Sequence, residues 1–281
     1  MLVSVVLGGA ASSVAADPQD DVTPLPISPS GVEPAPPPSA EADAETYARC
    51  MKLARQDPHA AQALAEGWGR RGGAHPAEHC AAVALISLGK YKEGATRLQV
   101  LAQAMSKAPT NLRADVLDQA GQAWLLAGDP GRAYAAAGEA VGLAPGDPEL
   151  LIDRAEAAEA AGHLDRAVAD LDHVLKADPG RVDALIYRAS AYRGLDRLDP
   201  ARADIDKAVA EEPHSAAALL ERGNVRRLEG DRDGARRDWE AVGRLAPGSP
   251  EDMAARANIE HLAKVSGAVP PAAPAGKTAP P

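Results

Sequence analysis

The sequence predicts an all-α fold built by stacking antiparallel pairs of helices. Three observations carry that expectation. Hydrophobic residues make up 46% of the chain, yet aromatics are only 3% and Phe is absent, so a core has to be packed from Ala, Leu, Val and Ile. Ala and Leu head the helix propensity scale, and strand formers are scarce. Pro145, Pro179, Pro213 and Pro247 stand at intervals of 34, and so do Ala133, Ala167, Ala201 and Ala235. Two more columns keep the same interval: Ala137, Leu171, Ile205 and Trp239, and Gly121, Ala155, Ala189 and Gly223. Small residues in two columns let two helices approach closely, a larger residue one turn on seals the pair, and proline closes the second helix.

Taken in order, the chain opens with "MLVSVVLGGAASSVAADPQ", a short apolar core with Val14-Ala15-Ala16 ahead of Asp17. That resembles a signal-peptidase site and makes residues 1–16 a candidate signal peptide. It is atypical, because no Lys or Arg precedes Arg49. Export to the periplasm is the expectation; read instead as an Ala-rich leader, the stretch would leave the protein in the cytoplasm. Residues 17–40 hold eight prolines and few apolar side chains, which reads as an extended polyproline-like linker, and 266–281 form a similar tail. No run of about 18 apolar residues occurs, so no membrane span is expected.

Residues 41–113 read as degenerate helical pairs. "AETYARCMKLARQD" and "PHAAQALAEGWGRR" split at Pro58 and end at Gly72-Gly73; a second pair turns at Leu88-Gly89-Lys90-Tyr91. The period then slips, since Gly89 lies 39 residues before Gly128 and five residues are inserted ahead of Ala114. Four regular units follow at 114–147, 148–181, 182–215 and 216–249. Gly128, Gly162 and Gly230 fall at the mid-unit turn. Asp129-Pro130, Asp147-Pro148 and Asp199-Pro200 read as an N-cap aspartate with proline at the first helical position. In the first regular unit Ala137 replaces the expected large residue, with Trp124 on the partner helix to compensate. "SPEDMAARANIEHLAK" over 249–265 reads as a polar capping helix, with Ser249 as N-cap and Asp252 closing a capping box.

These columns and spacings resemble the tetratricopeptide repeat, and the resemblance covers the four regular units. It implies a right-handed α-solenoid in which first helices line a concave face, and a non-enzymatic scaffold that binds a peptide or protein there. The groove positions it implies are Asp118, Gln122 and Leu125; Ile152, Glu156 and Glu159; Ile186, Ser190 and Arg193; and Leu220, Asn224 and Arg227. Spacings of three and four put each set on one helical stripe, which runs from acidic to basic and could orient a bound segment by charge. The Lys and Asn clamp with which co-chaperone members of the family hold C-terminal carboxylates is not reproduced; only Asn224 matches it. The alternative is a structural or self-associating component with an empty groove, and the sequence leaves monomer or assembly open.

A second register crosses the last three units, with Arg154, Arg188 and Arg222 each followed sixteen residues later by Asp170, Asp204 and Asp238. This reads as a partly exposed ladder between the helices of each pair, worth under about 1 kcal/mol per rung; the other reading is an arginine row facing acidic groups on a partner. Cys50 and Cys80 are the two cysteines of the chain. Side-by-side first helices could bring them into a disulfide, while two buried free thiols are the competing reading. His75, His79 and Cys80 cluster without further ligands at finger-like spacing, so no metal is expected, and no cofactor. No G-x-S-x-G, P-loop, H-E-x-x-H or G-x-G-x-x-G occurs, which leaves no catalytic residue to assign. A net charge of −10 argues against nucleic acid.

Overall fold

The computed structural model describes residues 40–267, so the candidate signal peptide, nearly all of the Pro-rich linker and most of the tail lie outside the described residues. Among the described residues there are thirteen helices and no strand. Six antiparallel pairs stack in order: α1 (Ala40–Gln56) with α2 (Pro58–Gly69), α3 (Ala74–Ser87) with α4 (Tyr91–Ala104), and α5 (Thr110–Leu126) with α6 (Pro130–Leu143). They continue as α7 (Pro148–Ala160) with α8 (Leu164–Ala177), α9 (Val182–Gly194) with α10 (Leu198–Glu211), and α11 (Ala216–Leu228) with α12 (Arg232–Leu245). A last helix, α13 (Pro250–Gly267), packs on α11 and α12. Among the described residues no helix is long and apolar enough to cross a membrane.

The 34-spaced columns form the core. Ala133, Ala167, Ala201 and Ala235 are buried, as are Leu171, Ile205 and Trp239 one turn on and Ala155 and Ala189 on the facing first helices. Each pair covers one side of the next; the buried apolar side chains form a central cluster from α3 to α11, with separate clusters at the α1–α3 and α11–α13 ends, and stability accumulates over neighbouring interfaces. Trp124 is also buried, and its indole N–H donates to Gln99 of α4 at 2.9 Å, which directs it toward the preceding pair. Gly128, Gly162 and Gly230 turn the chain within their pairs with φ of 71°, 79° and 90°; Asp196 takes the equivalent place in the third regular unit at 58°, a conformation that Asp tolerates better than most residues.

Several boundaries differ from the sequence expectation. Asp129 and Asp147 accept first-turn backbone N–H groups, but α10 starts at Leu198 with Arg197 as its cap, so Asp199 and Pro200 lie within its first turn. A proline there costs no helical hydrogen bond, since first-turn N–H groups have no intrahelical acceptor. Ala40, expected in the linker, is the first residue of α1, and α13 runs on to Gly267. Ser249 Oγ accepts from the Asp252 N–H at 3.2 Å, and Asp252 accepts in return from the Gly248 N–H at 2.8 Å, one residue earlier than a standard box.

The five-residue slip has a specific structural outcome. Helix α5 has 17 residues where α7, α9 and α11 have 13, so one additional turn, 110–113, is added at its N-terminus. First helices pack side by side from α1 to α3 and at each step from α5 to α13, whereas α3 and α5 are separated by a cleft.

Candidate functional site

The face built by α5, α7, α9 and α11 is crowded with carboxylates. Gln122 of α5 ties two of them together, donating to Asp118 Oδ2 at 2.9 Å and to Asp153 Oδ2 of α7 at 3.3 Å. Burial, with Asp153, Asp115 and Asp147 adding negative charge, pushes the Asp118 carboxyl up to about 8. Burial also raises Asp153, Glu156 and Glu159, the last opposed by a hydrogen bond from the Ser190 hydroxyl at 2.6 Å. The Tyr187 hydroxyl, bonded to Glu156 across the α7–α9 step, is pushed up to about 12 by burial and the surrounding acids. Of these groups, Glu156, Glu159, Tyr187 and Ser190 line a cavity of about 410 Å³, together with Glu221, Ile186 and Leu220. A face of this kind, with apolar patches set among carboxylates that ionise at a cost, favours a cation over an anion.

At the basic end of the expected stripe, Arg193 is paired within the fold. Arg193 Nε donates to Glu221 of α11, and Arg193 Nη2 to Ser190 Oγ at 2.9 Å, so this guanidinium is consumed inside the fold. Glu221 is buried and needs a counter-charge; Arg193 supplies it from the neighbouring first helix. Asn224 is drawn into the same network, donating to Glu221 Oε2 at 2.9 Å and accepting from Asn258 of α13 at 2.9 Å. Arg227 is half-buried and makes no ion pair among the described residues. Ile152, expected on the open stripe, is buried in the core because α5 and α9 flank α7 on both sides. Leu125, Ile186 and Leu220 are half-buried, while Gln122 is exposed.

The residues missed by sequence reasoning form a column of their own. Gln119, Asp153, Tyr187 and Glu221 are spaced by 34, one position after Asp118, Ile152, Ile186 and Leu220. The period was therefore the signal; choosing the stripe one residue too early left these four side chains unassigned.

Each rung of the Arg to Asp ladder is a two-pronged pair. Arg154 meets Asp170 at 2.8 and 2.5 Å, Arg188 meets Asp204 at 2.7 and 2.7 Å, and Arg222 meets Asp238 at 3.0 and 2.8 Å. The aspartates are no more than 8% exposed, while the arginine side chains keep 18% to 24% exposure, so each rung is open to solvent on its arginine side only. The guanidinium caps the carboxylate from the solvent side, and Arg226 adds a further bond to Asp238 at 2.7 Å. Cys50 of α1 and Cys80 of α3 are joined by a disulfide, with Cα atoms 6.1 Å apart. His79, beside Cys80, accepts from the Tyr47 hydroxyl at Nδ1 and donates from Nε2 to Gln119 of α5, both at 2.9 Å. Burial lowers its pKa, in keeping with a neutral ring. His75 lies at the mouth of the α3–α5 cleft, and no cluster suited to a metal ion occurs among the described residues.

Residues 125–186 match a family model described as tetratricopeptide repeat. No curated protein matches the chain. Among solved structures, TTC0263, a thermophilic protein with this repeat from Thermus thermophilus, is 19% identical with a TM-score of 0.54, covering 68% of this chain and 100% of its own. MamA from Desulfovibrio magneticus RS-1 is 20% identical at TM-score 0.53, covering 63% of this chain and 99% of its own. YrrB, described as having an unusual peptide-binding site, is 21% identical at TM-score 0.51, covering 64% and 97%. At these identities the likeness is one of fold.

Proposed function

The chain is a solenoid of tetratricopeptide repeats, and on that premise we propose that it is a non-enzymatic scaffold whose concave groove binds a positively charged segment of another protein. The observation that carries this reading is the run of part-buried carboxylates Asp118, Asp153, Glu156 and Glu159, all raised by burial, the first two bridged by Gln122, on helices that the repeat lays side by side. A lysine or arginine entering the run would relieve the repulsion among the acids. Ile186 and Leu220 would supply apolar contact beneath it. Opposed charge would set on-rate and orientation as much as affinity.

The Cys50–Cys80 disulfide supports an oxidising compartment, and together with the signal-peptide-like opening of the sequence it supports the proposal of a bacterial periplasmic location. The test is a pull-down from periplasmic extract with the wild type and with Glu156→Lys/Glu159→Lys, the two having matched melting temperatures. Species held by the wild type, eluted by salt and lost in the variant support the groove; identical captures argue against it.

A second reading, end-to-end association of copies, is favoured by one observation. Leu245 and Met253 at the C-terminal end of the stack are 42% and 61% exposed. Light scattering that finds a monomer across the accessible concentration range removes it.

A further inference from the structure

A second cavity lies where the first regular unit meets the degenerate pairs, in the cleft between α3 and α5. It holds about 660 Å³, within the range of about 300–1,000 Å³ of sites that enclose a bound group. Its walls are mostly apolar, with Ala44 and Tyr47 from α1, Leu101 from α4, Met105 from the following loop, and Leu112 and Val116 from α5, and they carry Asp43, His75, His79, Asp115 and Gln119 among them. Leu112 lies on the inserted turn and is 46% exposed, a large apolar side chain left at the lip. Met105 adds a flexible, polarisable wall that adapts to different shapes. The far side is fixed in place. The disulfide holds α1 to α3, and the Tyr47–His79–Gln119 chain of hydrogen bonds spans α1, α3 and α5 across the back.

Charge and continuity identify the occupant. Asp115 lines the cleft, and Asp118 is one turn further along the same helix. Thus α5 presents its cleft-lining residues next to the first carboxylate of the acidic run. A chain lying along that run would pass over the cleft, and an apolar side chain on it would find the concave apolar surface there. We infer that the α3–α5 cleft is the anchor pocket for a bulky apolar side chain of the bound segment, flanked by basic residues held at Asp115 and Asp118. This inference rests on the proposed groove. It adds what the groove alone does not specify: the partner needs an aromatic or large aliphatic residue beside its lysines or arginines, and selectivity comes from the inserted turn.

The test uses the full chain and dye-labelled nonapeptides of alternating Gly and Lys with Trp, Leu or Ala at the centre, read by fluorescence anisotropy. The wild type should bind the Trp peptide about tenfold or more tightly than the Ala peptide, the gain expected for burying one large apolar side chain. Ala44→Trp, at an exposed position of the cleft wall, fills the pocket and should abolish that gain while leaving lysine-dependent binding in place. Leu112→Gln should reduce the gain without altering the melting temperature. Equal affinity of the Trp and Ala peptides for the wild type would overturn the inference, as would a gain that survives in both variants. Replacing lysine by serine separates the two readings. If the Trp peptide then binds as before, the acidic groove fails and the pocket stands; if lysine matters and the anchor does not, the pocket fails and the groove stands.

Discussion

The indole of Trp239 occupies the space in which a side chain at Gly223 would begin: an added Cβ would overlap indole Nε1, Cδ1 and Cε2. Trp239 is 1% exposed and donates to the Leu220 carbonyl at 3.3 Å, so it has no room to move aside. In the first regular unit the same two columns hold Gly121 and Ala137, and a Cβ at Gly121 would meet Ala133 and Ala137 at ordinary contact distance. Gly223→Ala should therefore cost about 1–3 kcal/mol. Gly121→Ala should be neutral or gain up to about 1 kcal/mol from helix propensity. Urea denaturation of the two variants checks the contrast, and the reverse order would contradict the assigned columns.

Removing one partner of a ladder rung leaves a buried carboxylate unmatched. Arg188→Ala should cost about 1–3 kcal/mol, because Asp204 loses both its hydrogen bonds to that arginine. Replacing both residues of the rung by apolar ones of similar size should recover much of the loss. A double-mutant cycle measures this; additive losses would mean that the two side chains do not act as a pair.

Reduction of Cys50–Cys80 should loosen the N-terminal end alone. The bridge closes a separation of 30 residues, worth about 3–4 kcal/mol in the chain-entropy model. In a stack held by neighbouring interfaces the effect stays local. Hydrogen exchange under a reductant should speed up in α1 and α2 and stay unchanged in α9 to α12; uniform acceleration or none would contradict this.

Acidity should stabilise the fold through Asp118. Unfolded, its carboxyl titrates near 3.8; folded, it titrates near 8. Between those values the folded chain holds a proton that the unfolded chain has lost, so stability falls as pH rises. The contribution is complete below about pH 4 and gone above about pH 8. Asp153, Glu156 and Glu159 are shifted in the same direction. Melting temperature should decline from about pH 5 to about pH 9, and Asp118→Asn, neutral throughout, should flatten the decline and be the more stable protein at the alkaline end. A wild-type curve that rises over this interval, or a variant with an unchanged slope, would contradict it.

The repeat was legible because its core residues carry their own ruler. Ala133, Ala167, Ala201 and Ala235 are buried at the helix crossing of every unit, so packing selects a small residue at each interval of 34. The groove was less legible. Its side chains answer to a partner and to one another, and nothing in a periodic pattern tells Arg193 that Glu221 will claim it from the next unit. Ile152 was misplaced for the same reason: whether an apolar residue on a first helix is covered depends on how closely the flanking helices approach. The cleft was announced as an irregularity in spacing, but the slip alone could not say whether it would become a longer loop or, as happens at 110–113, one more turn of helix.

The most direct test of the acidic groove is the proton balance of binding. At about pH 7 most Asp118 carboxyls are protonated in the free protein, and a lysine seated against them favours the charged form. Calorimetric titration with octalysine, repeated in buffers of different ionisation enthalpy, should show proton release on binding, up to about one per complex, that disappears in Asp118→Asn. Binding of octalysine without proton release, or no binding at low salt, would contradict the account.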